Sequence, residues 1–131
     1  MNGRNKVARI LVALGAIVLF GGALLHCLAA YPRVMGPALS ASNLSAPLQG
    51  ALRAVFLLVG WDWVVIGIIA LIGAFTATRI QKVIVLVCGF ALVGTTAVML
   101  KFIGWFLGTD MILAAAVMII CGGLLLGKNG E

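Results

Sequence analysis

The sequence predicts an all-α integral membrane protein in which four transmembrane helices form one bundle. Hydrophobic residues make up 64% of the 131 residues and charged residues 9%, whereas charged residues alone make up about 25% of a soluble domain. Four apolar runs are each long enough to cross a hydrocarbon core of about 30 Å as a helix. Basic residues lie beside the ends of these runs, as in membrane proteins with a defined orientation.

The whole chain, 1–131, is predicted to be a single domain. Its helices are expected at approximately 7–30, 51–75, 83–100 and 111–127. The first run also resembles a signal peptide, but it is longer than the 7–15 residues of a signal peptide's hydrophobic region, and Leu28 fits poorly before the cleavage site. Prolines, glycines and small polar residues at 31–50 predict an outer loop, with room in it for a short interfacial helix. That loop is either a lid or docking segment or a plain connection on the bilayer surface.

The basic residues predict the orientation of the chain. Six lie on one side of the bilayer and three on the other: Arg4, Lys6, Arg9, Arg79, Lys82 and Lys128, against Arg33, Arg53 and Lys101. Both termini are therefore expected in the cytoplasm, in a bacterial inner (plasma) membrane, with Arg53 and Trp105 at the outer interface. Nucleic acid is excluded as a partner because no continuous basic face could follow a phosphate backbone.

Small residues recur along three of the predicted helices, where they permit close helix packing in lipid. The expected packing glycines are Gly15, Gly22, Gly60, Gly67, Gly123 and Gly127. The last two form a Gly-x-x-x-Gly pair, which fits either an internal contact or a dimer face.

Asp62, between two tryptophans, is an acidic residue inside an apolar run. A carboxylate in hydrocarbon costs at least about 2.5–3.5 kcal/mol, so it should be protonated, paired or hydrated. Arg53 precedes it by nine residues, which places the two on opposite faces of one helix. His26, Thr95 and Lys101 lie at a similar depth. We therefore expect an intramembrane polar cluster of Asp62, His26, Thr95 and Lys101, which either fixes helix register or moves a proton.

The residues that carry most enzymatic chemistry are sparse. A single histidine excludes a bis-histidine haem within the chain, and no ligand spacing suits a metal. Cys27, Cys88 and Cys121 form no C-x-x-C pair and are interpreted as small buried hydrophobic residues. No nucleophile with an adjacent base, phosphate loop or carboxylate pair is present. We expect no catalytic residue, and no cofactor bound by this chain alone.

The second predicted helix resembles the DoxX-like family. The residues concerned are 60–73, followed by Thr78 and Arg79: an acidic residue, a glycine-spaced apolar run, and Thr-Arg before the third helix. The first helix, with Arg9 near its start and two glycines at 21–22, is compatible with the pattern. The resemblance covers the first two helices and their turn. It implies a small four-helix membrane protein associated with membrane-bound oxidoreductase or quinone-linked complexes, and it implies no catalytic residue.

These observations lead to one main hypothesis and two alternatives. The main hypothesis is a non-catalytic membrane subunit, or accessory or assembly factor, of a larger redox- or quinone-linked complex. Its contacts would be the lipid bilayer and other subunits or further copies of itself. One alternative is a small oligomeric proton-coupled transporter using Asp62 and His26; the other is a membrane protein that binds a lipid or a quinone. The scarcity of polar groups in the inner half favours the subunit over the transporter.

Overall fold

In the computed structural model, which describes residues 3–76 and 80–127, these residues form helices and short turns and no strand. The elements are α1 (Gly3–Leu24), a π-helical segment (Leu25–Met35), α2 (Gly36–Ser40), α3 (Ala46–Phe75), α4 (Gln81–Phe102) and α5 (Leu107–Leu125). The first three run on as one helix, and four helices in all are long and apolar enough to cross a membrane. The prediction of an all-helical chain with four helices long and apolar enough to span a membrane is confirmed for the described residues.

The four long helices pack in a ring, in which α1 contacts α3, α3 contacts α4, α4 contacts α5, and α5 contacts α1. Gly73 in the last turns of α3 lies against Ile84 in the first turns of α4, so consecutive helices are antiparallel. Asn5 Oδ1 accepts a hydrogen bond of 2.9 Å from the backbone N–H of Gly127. Both ends of the described chain therefore lie at one end of the bundle, here called the terminal end. The opposite end is called the distal end.

The core of the bundle combines large aliphatic side chains with alanines. Leu19, Leu92, Ile112 and Ile119 are fully buried. Between them lie alanines with no more than 5% exposure: Ala8, Ala16, Ala23, Ala70, Ala74, Ala115 and Ala116. Because lipid is as apolar as these side chains, close backbone approach at small residues holds the helices together.

The predicted outer loop at 31–50 is too long: within it only 41–45, between α2 and α3, is non-helical, and the remaining residues belong to helices. Pro32 lies inside the π-helical segment, in which the N–H of Gly36 donates to the carbonyl of Tyr31, five residues earlier. A wider turn accommodates a residue that has no N–H and whose ring would crowd an α-helical turn. Pro47 lies in the first turn of α3, where a missing N–H costs nothing.

The distal end carries a helical projection. Gly73 of α3 is level with Ile84 of α4. Eighteen residues from this level toward the distal end, α4 ends at Phe102, and the residue of α3 at the same level is Val55. Since antiparallel helices rise equally, α3 extends beyond α4 by its residues 46–54, or about 14 Å. The π-helical segment and α2 pack beside this extension. Since Gly60 lies against Cys27, Val55 is level with Pro32, and we call 32–54 the distal projection.

Helix α4 ends at a glycine turn. The N–H groups of Ile103 and Gly104 both donate to the carbonyl of Met99, and Gly104 has a φ of +92°. This backbone conformation favours glycine. It starts the short connection to α5, in which Trp105 is 65% exposed at the distal end.

Candidate functional site

Basic side chains at the terminal end bind the carbonyl ends of neighbouring helices. Arg9 Nε donates to Ala74 O over 3.1 Å, and Lys82 Nζ donates to Leu124 O over 3.3 Å. Both carbonyls lie in last turns, where no further helical N–H is available to them. The basic residues that predicted the orientation, where the structure describes them, lie at the two ends of the bundle as predicted. Arg79, Lys128 and, from the family resemblance, Thr78 lie outside the described residues.

Two buried amide side chains at the terminal end were missed by sequence reasoning. Asn5 and Gln81 are 6% and 5% exposed. Asn5 accepts from the N–H of Gly127, and Gln81 Nε2 donates to its carbonyl over 3.2 Å. A polar residue at the edge of an apolar run looks the same in the sequence whether it faces water or binds a neighbouring chain end. The burial of these two amides therefore could not be predicted.

His26 joins α1 to α3. Its Nε2 lies 2.7 Å from the carbonyl oxygen of Phe56, and its ring stacks on the Phe56 ring at 3.9 Å between centroids. The ring of Trp63 lies 5.0 Å away on a tilted plane. A Cβ on Gly60 would lie 3.3 Å from His26 Cδ2 and 2.6 Å from Cys27 Sγ. The close approach of the helices at this glycine brings the imidazole against the backbone of α3.

Replacing His26 by phenylalanine should keep the ring stack and remove the hydrogen bond to Phe56. We expect the free energy of unfolding to fall by about 0.6 kcal/mol, the average for side-chain hydrogen bonds between membrane helices, and by no more than about 1.7 kcal/mol, the largest value. Denaturant titration of the purified chain followed by helical circular dichroism measures the change. His26→Asn, which retains a donor but loses the ring, serves as the companion variant. Unchanged stability in His26→Phe would show that the hydrogen bond contributes nothing.

Asp62 lies on the outer face of α3. It is exposed, within a stripe of exposed residues that includes Leu58 (56%) and Ile69 (43%). Gly60 and Gly67 of the same helix contact α1 through Cys27 and Phe20, and Asp62 projects about 160° away from Gly60. Within 3–76 and 80–127, no hydrogen bond or ion pair reaches its carboxylate.

The depth of Asp62 follows from helix register. Counting eleven residues back from Gly73 reaches Asp62, and eleven forward from Ile84 reaches Thr95. Thr95 lies seven residues before the end of α4, so Asp62 lies about 10 Å inside the distal end of that helix. This position falls within a hydrocarbon core of about 30 Å. The carboxylate is thus at membrane depth without a partner among the described residues.

The four residues of the predicted polar cluster do not form hydrogen bonds with one another in the described part of the chain. Thr95 Oγ1 donates to Ala91 O of its own helix over 3.2 Å. Lys101 is exposed, with Nζ 5.3 Å from the centroid of the Phe102 ring, and His26 is paired with a backbone carbonyl. Their depths are similar but their directions differ. At this depth α3 turns Trp63, 3% exposed, toward the core, and Asp62 lies about 100° away from it.

The predicted packing glycines lie between helices of the chain. Gly15 lies against Ile119, Gly22 against Trp63, Gly60 against Cys27, Gly67 against Phe20, Gly123 against Val85 and Leu86, and Gly127 against Arg4 and Asn5. Gly127 follows the last helix, which ends at Leu125. The Gly-x-x-x-Gly pair therefore makes internal contacts.

The cysteines differ from the prediction at one position. Cys88 is buried, Cys27 is half-buried and Cys121 is exposed, so interpreting all three as buried residues is wrong for Cys121, which α5 turns outward. All three are free thiols. Among the described residues, no group of three histidine, cysteine or acidic side chains is placed to hold a metal ion.

Comparisons with protein-family models, with curated proteins and with solved structures find no match to this chain.

Proposed function

We propose that this chain is a non-catalytic subunit or accessory factor of a larger membrane complex, and that α3 is the helix that docks onto its partner. One observation carries the proposal. Asp62 lies at membrane depth on the outward face of α3, and no described residue pairs with it.

The carboxyl group of Asp62 is energetically costly where α3 faces hydrocarbon. Hydrocarbon offers it no hydrogen bond, and an ionised aspartate near a helix centre costs at least about 2.5–3.5 kcal/mol on insertion scales. A neighbouring membrane helix that supplies a donor or a cation removes this cost. Intramembrane acidic residues generally face such partners rather than lipid.

The surface of α3 supports the same conclusion. In the most apolar 18-residue stretch of α3, only 22% is buried within the chain. The corresponding stretches of the other three membrane helices are 33%, 33% and 39% buried. Leu58, Asp62 and Ile69 follow one outward stripe. A partner helix packed along this stripe would cover the residues that the bundle leaves exposed.

Two further features of the proposal rest on the sequence. The resemblance of residues 60–73 to DoxX-like proteins suggests that the complex is redox- or quinone-linked. The basic residues at the terminal end, including Arg4, Lys6, Arg9 and Lys82, favour the cytoplasm for that end under the positive-inside rule, and we propose that the membrane is a bacterial inner membrane.

Site-specific photocrosslinking in native membranes tests the docking face. A crosslinking amino acid at Leu58, on the stripe, should give a product with a different membrane protein. The same amino acid at Val117, which is 52% exposed on α5, is the matched control and should give none. Purification in mild detergent should recover the complex at a size above that of the chain alone.

Two outcomes would contradict the proposal. One is recovery of a lone monomer with no product from Leu58. The other is a Leu58 product with the mass of two copies of this chain, which would make the protein a homo-oligomer.

A further inference from the structure

An apolar groove lies in the seam between α1 and α3, on the outside of the bundle. Its volume is about 470 Å³, and its walls are formed by Phe20, Ala23, Leu24, Cys27, Leu28, Leu57, Gly60, Trp61 and Val64. Gly60 carries no side chain and lines the groove where α3 lies closest to Cys27. The walls offer hydrocarbon and aromatic surface and no charged group.

The groove lies at membrane depth. On α3 it extends from Leu57 to Val64, on the bilayer side of Val55, which is level with the end of α4. A groove of this composition that opens toward lipid is filled by hydrocarbon, because water would find no partner for its hydrogen bonds there. An acyl chain is the hydrocarbon that the bilayer supplies.

A cation lies on α3 one helical turn beyond the distal limit of the groove wall at Leu57. Arg53 precedes the wall residues Leu57, Trp61 and Val64 by four, eight and eleven residues, which places all four on one stripe of α3. It lies just beyond the level of the end of α4, and its Nη2 is 3.4 Å from Ser40 Oγ in the distal projection. No carboxylate pairs with it among the described residues. An arginine at headgroup level matches the geometry of a phosphate.

We propose that this groove binds a phospholipid with a net anionic headgroup, one acyl chain lying between α1 and α3 and the phosphate on Arg53. A zwitterionic lipid would add its own cation beside the guanidinium, whereas an anionic lipid neutralises it. This site is independent of the docking stripe, because Leu57 and Leu58 point about 100° apart.

Quenching of Trp61 by brominated lipids tests the site. In the full chain carrying Trp105→Phe, Trp61 is the exposed indole, since Trp63 is 3% exposed. The chain is reconstituted in phosphatidylcholine bilayers containing increasing shares of acyl-brominated phosphatidylglycerol or acyl-brominated phosphatidylcholine. We expect the brominated phosphatidylglycerol to give half-maximal quenching at about a fivefold lower share, the contribution typical of one arginine near an anionic lipid.

Two charge variants show whether Arg53 is responsible. Arg53→Gln should bring the two quenching curves together. Lys101→Gln removes the same charge at the same end, from a helix that does not line the groove, and should keep the preference. The proposal is overturned if the preference for phosphatidylglycerol survives in Arg53→Gln or is absent from the parent chain. It is also overturned if Lys101→Gln abolishes the preference as Arg53→Gln does.

A groove-filling variant tests the acyl-chain half of the site. Leu24→Trp places a large ring in the groove and is expected to reduce quenching of Trp61 by both lipids, whereas Ile17→Trp, at an exposed position of α1 outside the groove, should leave it unchanged. The fluorescence of each added tryptophan is measured in the same variant carrying Trp61→Phe and is subtracted. Equal quenching in the two variants would show that no chain occupies the groove.

Discussion

Asp62→Leu is expected to release the chain from its complex while leaving the isolated bundle folded. The leucine continues the apolar stripe between Leu58 and Ile69, and it removes a group whose burial in lipid costs at least about 2.5–3.5 kcal/mol. The same change removes the donor or acceptor that the partner helix would bind. Size analysis in mild detergent measures the association, and thermal loss of helical circular dichroism measures the stability of the isolated chain.

Asp62→Asn and Asp110→Asn are the matched controls for that result. Asparagine at position 62 still forms hydrogen bonds and should retain part of the association. Asp110 lies in the first turn of α5 and is also exposed, but it sits at a helix end instead of inside a span, and its substitution should leave the complex intact. If Asp62→Leu leaves the size of the complex unchanged, α3 does not dock through this residue.

Gly122→Leu is expected to separate α1 from α5 and to cause the largest loss of stability among single substitutions in the bundle. A Cβ at this position would lie 2.6 Å from Val12 Cγ2 and 2.8 Å from the backbone oxygen of Ala8. Backbone cannot move aside as a flexible side chain can. Overpacking of a tight core costs about 1–3 kcal/mol, and a leucine adds three more carbons beyond the clashing Cβ.

The control for Gly122 is Gly94, which faces outward on α4 and where an added Cβ would have no atom within 4 Å. Gly94→Leu makes the same chemical change, with the same gain in helix propensity, in a place with room for it. Thermal denaturation of the two variants side by side measures the difference. Equal melting temperatures would mean that the α1–α5 contact at Gly122 does not limit stability.

The number and order of the membrane helices could be predicted from the sequence, whereas the ends of the first helix, predicted at 7–30 and found at Gly3–Ser40, could not. The predicted helix at 83–100 corresponds to Gln81–Phe102, and that at 51–75 to Ala46–Phe75. In lipid the backbone must satisfy its own hydrogen bonds, so a long apolar run has little choice except a helix. This rule does not apply to the distal projection, which extends beyond the end of α4. There the prolines suggested a loop, but the chain forms wider helical turns through Pro32.

The candidate site was predicted only in part. His26 was expected to face the acid on α3, and it faces the carbonyl of Phe56 instead. The groove lined by Leu24, Leu57 and Trp61 could not be predicted, because its residues are ordinary lipid-compatible side chains from two helices. Their proximity depends on Gly60, where α1 and α3 come close together.

The sequence by itself determined that the chain is helical, that it lies in a membrane and that Asp62 is at hydrocarbon depth, since depth depends only on a rise of about 1.5 Å per residue. The tertiary structure decided how each helix is rotated about its axis. It turned Trp63 into the core and left Asp62 outside. In a membrane, core and lipid are equally apolar, so hydrophobicity does not mark the inward face of a helix, and the contacts between helices determine it.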